Sequence, residues 1–138
     1  MANISENWDV GEYSHKAVLE EVELGGSGVT YAPGDVLKFT GVNAAGQMIA
    51  QKITAVDQPR AVVAKGQGGS SGEIKACVVS GDVVLKVGGA IPAGEGIAVL
   101  AGKIVKVSTG NSVNPCGFAR GATTADGDTV LCCFKPGY

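Results

Sequence analysis

Aromatic residues are scarce in this chain of 138 residues: three Tyr, three Phe and one Trp, 5% of the whole against 45% hydrophobic. A core must therefore be built from Val, Ile, Leu and Ala. Too few rings remain for the stacking platforms that single-stranded nucleic acid requires. Histidine is reduced to His15, which leaves most nucleophile–base pairs without a base. No G-x-S-x-G elbow occurs, and the glycine-rich GGSSGE at 68–73 lacks the GK[ST] ending of a phosphate loop. No apolar run reaches 18 residues, the length a spanning helix needs. The N-terminal MANISENWDVGEYS has neither a basic stretch nor an apolar stretch of the secretory kind, and the chain is expected to be made and to fold in a cytoplasm.

Strong charge of one sign is missing too. The net charge of −2 provides no field for DNA or an anionic membrane, and no direct nucleic-acid or membrane partner is expected. The charge is nevertheless uneven. Residues 1–24 carry six acids and one lysine, a balance of −5, and the remainder carries ten bases and seven acids, a balance of +3. This predicts either an acidic arm that docks on a basic surface, its own or a partner's, or a solvated terminus. Cys77, Cys116, Cys132 and Cys133 form no CxxC pair. Adjacent strand positions point to opposite faces, so Cys132 and Cys133 do not share a metal. The four read as small buried hydrophobes, and a cytoplasmic origin disfavours disulfides. Neither metal nor cofactor is expected. A Cys116–His15 nucleophile would lack any recognisable context, and the chain is read as a non-enzyme.

Glycine is abundant, with 22 residues and no Gly-X-Y period. From Tyr31 onward short runs rich in β-branched residues alternate with Gly, Pro, Asn and Asp, the pattern of strands and tight turns. DVLKF, MIAQKITAV, AVVAKG, EIKACVV, VVLKVG, GIAVLAG, KIVKVS, GFARG and TVLCCFK are the predicted strands, with a turn at Ser80-Gly81-Asp82 between the fourth and fifth. Two stretches look alike. One runs from APGD to Val63-Ala64-Lys65-Gly66 and the other from PAGE to Phe118-Ala119-Arg120-Gly121. The spacing is 59 residues between Pro33 and Pro92 and 55 between the closing glycines. The expected fold is all-β: a compact β-sandwich or β-tulip/small barrel of two pseudo-repeated meanders, each too small to bury its own face, plus an extended N-terminal arm. The domain division is an arm over 1–30 and a β body over 31–138. Within the arm, residues 15–24 read equally as a short helix, capped by Ser14 and stopped by Gly25, or as a strand.

Trp8 is the only tryptophan. With Tyr13 it places two aromatics on an otherwise polar segment, and such residues dominate interface hot spots. Trp8, Asp9, Glu12 and Tyr13 are the candidate partner-contact residues, the alternative being that Trp8 folds back on its own domain. QGGSSG reads as a flexible hairpin tip. Asp126-Gly127-Asp128 reads as a β-turn rather than a calcium loop, because the further carboxylates of a calcium cage are missing.

Over residues 30–138 the chain resembles the small capsid decoration proteins of tailed bacteriophages, also called cement or head-fibre proteins. The resemblance is carried by Gly81-Asp82-Val83-Val84, Ile91-Pro92-Ala93-Gly94, Gly102-Lys103-Ile104-Val105, Asn114 to Ala119, and Gly127-Asp128-Thr129-Val130-Leu131. Residues 1–30 lie outside it. The resemblance implies a structural protein of the virion, a homotrimer on the outer capsid surface. It would bind the major capsid protein at three-fold or quasi-three-fold sites of an expanded head and stabilise it against internal DNA pressure. The alternatives are another phage structural module, such as a tail-tube, baseplate or fibre domain, or a β module that binds a host surface or carbohydrate.

Overall fold

The computed structural model describes residues 8–54, 57–107 and 115–136. They form eleven strands and, among the described residues, no helix. These are β1 (Val18–Leu24), β2 (Thr30–Tyr31), β3 (Val36–Val42), β4 (Met48–Lys52), β5 (Ala61–Val63) and β6 (Gly69–Ser70). There follow β7 (Ile74–Gly88), β8 (Gly96–Leu100), β9 (Lys103–Lys106), β10 (Gly117–Ala119) and β11 (Asp126–Phe134).

The strand pairings close twice. β1, β4, β3, β5 and the first half of β7 form a five-stranded barrel, sealed by β7 pairing back on β1. The second half of β7 continues with β11, β10, β8 and β9, and β9 returns to β7 through Val87 and Ile104. Each ring has one parallel seam, β1–β4 in the first and β7–β9 in the second; every other contact is antiparallel. The two meanders of the sequence are thus two rings of identical topology that share a strand. Of the architectures expected, the small barrel is the one these pairings describe.

The repeat is one residue out of step with its turn motifs. Leu37 pairs with Ala61 in the first barrel, and Ile97 with Gly117 in the second. Ala61 therefore corresponds to Gly117 and Val62 to Phe118, not Val63 to Phe118. A slip of one residue exchanges the faces of a strand. Val63 lies in the first core, whereas Phe118 stays half-buried with the Arg120 guanidinium 5.1 Å from its ring.

Two further expectations change. The turn expected at Ser80-Gly81-Asp82 is the middle of β7: Ser80 pairs with Val18, Gly81 with Phe134 and Asp82 with Cys133. The glycine marks a close approach, since a Cβ there would lie 2.7 Å from Ala17 Cα. And the division at residue 30 cuts through the first barrel. Residues 18–24 are a strand, not a helix, with Val22 and Leu24 fully buried, because the Val22/Leu24 alternation suits the pleat and β7 and β4 lie on either side of it.

One face of β7 serves both interiors. Cys77 and Val79 face the first core, and Val83, Leu85 and Val87 face the second. β5 lies between the two. Ala61 and Val63 point into the first barrel, Val62 and Ala64 into the cluster that fills the second, so the run AVVA is buried on both sides. The ribbon within residues 90–110 forms β8 and β9, joined through Ala101 and Gly102, both at positive φ (51° and 80°). Such a pair matches the twist of a two-residue hairpin. The loop at 68–73 is pinned rather than free: β6 pairs with β2, and Ser71 Oγ donates to Val29 O at 3.1 Å.

Candidate functional site

Residues 8–17 form a strap along the open edge of β7. The Gly11 N–H donates to Val84 O (2.8 Å), the Val84 N–H to Glu12 O (2.9 Å) and the Ser14 N–H to Asp82 O (3.0 Å). Tyr13 thereby bridges Val83 antiparallel, continuing along β7 the pairing that β1 begins. The Lys65 N–H donates to Gly11 O at 3.0 Å. Val10 sits against the turn at Gly34, where an added Cβ would collide with its Cγ1. The strap turns back on itself through the Glu12 N–H on Asp9 O, and enters β1 by a tight turn closed by the Ala17 N–H on Ser14 O.

The four predicted contact residues are placed as follows. Asp9 (3.0 Å) and Glu12 (3.2 Å) converge on Lys65 Nζ, and hydrogen bonding to Asp9 and then Glu12 raises the lysine pKa. Two acids of the N-terminal segment thus dock on a basic group of their own chain. Trp8 is half-buried and Tyr13 is 37% exposed, on either side of the Asp9–Glu12 turn; the structure brings Asp9 and Glu12 together on one lysine. Sequence reasoning missed Lys65, Val10 and Gly34. Two signals for Lys65 were present: the charge asymmetry between the two segments, and its place in the repeated motif.

Beside the strap a cavity of about 280 Å³ opens between the barrels, lined by Val10, Pro33, Asp35, Lys86, Lys103 and Asp126 among others. Its charges are largely paired: Lys103 with Asp126 at 3.3 Å, and Asp35 with Lys52 at 3.7 Å. Below the strap's turn, a second cavity of about 410 Å³ is lined by His15, Lys16, Asp82, Arg120 and Cys133. Arg120 Nε donates to Asp82 Oδ1 at 2.8 Å, which raises the guanidinium pKa. The thiol that shares a cavity with His15 is therefore Cys133, whereas Cys116 is fully buried. All four cysteines are free and buried. Burial pushes the thiols of Cys77, Cys116 and Cys132 up to about 12, so they stay protonated at neutral pH. Among the described residues no three His, Cys, Asp or Glu are grouped to hold a metal.

Two motifs of the decoration-protein resemblance do local structural work. Asp128 accepts the N–H groups of Thr124 and Ala125, which hold its carboxyl below the usual range and close the turn read as Asp126-Gly127-Asp128. Thr123 is buried, accepting the Ile91 N–H (3.0 Å) and donating to Gly89 O (2.9 Å). Asn114 lies outside the described residues.

In comparisons with known proteins, no protein-family model matches the chain and no curated protein aligns with it significantly.

Proposed function

We propose that this chain is a capsid decoration protein. It binds the outside of an expanded phage head as a homotrimer at three-fold or quasi-three-fold sites, contacts the major capsid protein, and stabilises the shell against internal DNA pressure. On this reading the paired barrels are the family's compact β-tulip or β-sandwich body and the N-terminal residues its docking arm. The observation that carries the reading is the pair of ring closures on one shared strand. A closed barrel presents no long free sheet edge, and two such rings sharing β7 make a stiff block whose product is its surface. The order of turn and strand motifs from Gly81 to Leu131 adds the family resemblance. A trimer of such blocks clamps neighbouring coat subunits through several modest contacts at high effective concentration, and closed three-fold symmetry calls for no reactive group.

Co-sedimentation with purified undecorated heads tests this. The chain is expected to pellet with expanded heads, to ignore unexpanded shells, and to have a native mass about three times 13.8 kDa by light scattering. Indifference to both shells overturns the reading. Growing polymers in solution would favour a tail-tube subunit, and retention on a polysaccharide matrix a carbohydrate-binding module.

A further inference from the structure

We propose that the strap is an exchangeable element: in assemblies of this chain, residues 8–14 of one copy occupy the slot beside β7 of a neighbouring copy. The inference rests on the oligomeric reading above and names how the copies are joined.

Four observations support it. First, neither barrel needs the strap. Both rings close through β1, β3, β4, β5 and β7 to β11, so neither closure runs through the strap. Second, outside its own turns, the strap's hydrogen bonds and ion pairs go to residues remote in sequence. These are Lys65, Asp82 and Val84, with Val10 resting on Gly34. Whether the strap fills its own slot or a neighbour's is decided by the short turn at residues 14–17 alone. Third, that turn is short: one hydrogen bond, from the Ala17 N–H to Ser14 O, closes it before β1 begins. Short hinge loops are where exchange arises, and an exchanged element makes the same contacts at its new site. Fourth, the strap is held lightly. Besides its four backbone hydrogen bonds to β7 and Lys65, it has one aliphatic anchor in Val10 and ion pairs whose Asp9 and Lys65 side chains are 73% and 49% exposed. Elements held this way open well below the global unfolding free energy.

The slot is nonetheless specific. The Gly34 turn admits Val10 only because it carries no side chain, and Lys65 offers both its N–H and its ammonium to the strap. Once copies stand side by side, a neighbour's strap reaches the slot at high effective concentration, and Trp8 and Tyr13 then lie at the boundary between copies.

The test places thiols on either side of the slot. The full-length chain carrying Glu12→Cys and Lys65→Cys is treated with a short bismaleimide at the concentration where the mass by light scattering is measured, with each single variant as control. Exchange predicts covalent dimers and trimers as the major products of the double variant, falling about tenfold when Val10→Asp is added to undock the strap. Cross-links confined within single chains in a trimeric sample overturn the exchange and leave the trimer standing. A monomer with only internal cross-links overturns exchange and removes the trimer as well. Peptide mapping of the cross-linked product confirms that residues 12 and 65 are joined.

Discussion

Among the described residues, the first barrel closes over eight buried residues, whereas the second lies in a cluster of sixteen to which the first barrel's side contributes Ile53, Val62, Ala64 and Val78. Identical topology therefore does not mean equal independence. The first ring has a core of its own, with Tyr31 capping it and donating to Gly25 O at 2.8 Å. The second ring's interior runs without a break into the packing between the two. Removing the first barrel would strip a wall from the second, whereas the first core is lined by its own strands.

The largest expected effect compares corresponding positions. Ala61 and Gly117 occupy the same place in the two rings, yet a Cβ on Gly117 would run into the carbonyl oxygen of Cys133 at φ 141°. Gly117→Ala is expected to cost about 4 kcal/mol or more, seen as loss of the folded protein or a large drop in urea midpoint. The reciprocal Ala61→Gly should cost only about 1 kcal/mol. Equal effects would break the correspondence. Next, Phe134→Ala, which empties from the second core the largest fully buried side chain among the described residues, should cost about 3–5 kcal/mol. Tyr31→Phe, which orphans Gly25 O in the first, should cost about 1–2 kcal/mol. Denaturant titration of both variants ranks the two cores.

Alkaline pH sharpens the comparison further. A thiol is neutral when protonated, and burial holds the proton on Cys77, Cys116 and Cys132 to about pH 12 against an ordinary value of 9.0. Between those values the unfolded chain has released protons that the folded chain keeps. Stability contributed by burial is therefore full below pH 9.0 and declines above it, by up to about 1.4 kcal/mol per pH unit per thiol. One of these thiols is in the first core and two are in the second. The Cys116→Ala/Cys132→Ala double variant should flatten the pH dependence more than Cys77→Ala does, measured as denaturation midpoint from pH 8 to 11. The smallest effect is expected at Lys65→Ala. It should speed amide exchange at Gly11 and Val84 and leave the exchange of both cores unchanged, and added salt should have the same effect on the native chain because the ion pairs are exposed.

Much of this was legible in the sequence. Val, Ile and Ala runs between glycines gave the strands, and the paired motifs APGD/PAGE and VAKG/FARG gave the duplication. What composition hides is closure and register. Nothing local to Ser80-Gly81-Asp82 distinguishes a turn from a strand that continues past a close neighbour. The deciding fact is Ala17, more than sixty residues earlier. Similarly, matching turns aligned Val63 with Phe118, but strand pairing sets the face, and the pairing is one residue away. At the candidate site the charge imbalance pointed to docking on a basic surface. It did not identify Lys65, because Lys65, Lys86 and Lys103 look alike until the chain is folded.

Because β7 is a stave of both barrels, its 15 residues make a single covalent girder roughly 50 Å long. A load applied to one ring passes to the other along peptide bonds, without crossing a noncovalent joint. Pulled apart, the molecule should therefore yield first where β9 or β1 is zipped to that girder, and the two rings should never part as intact beads on a string.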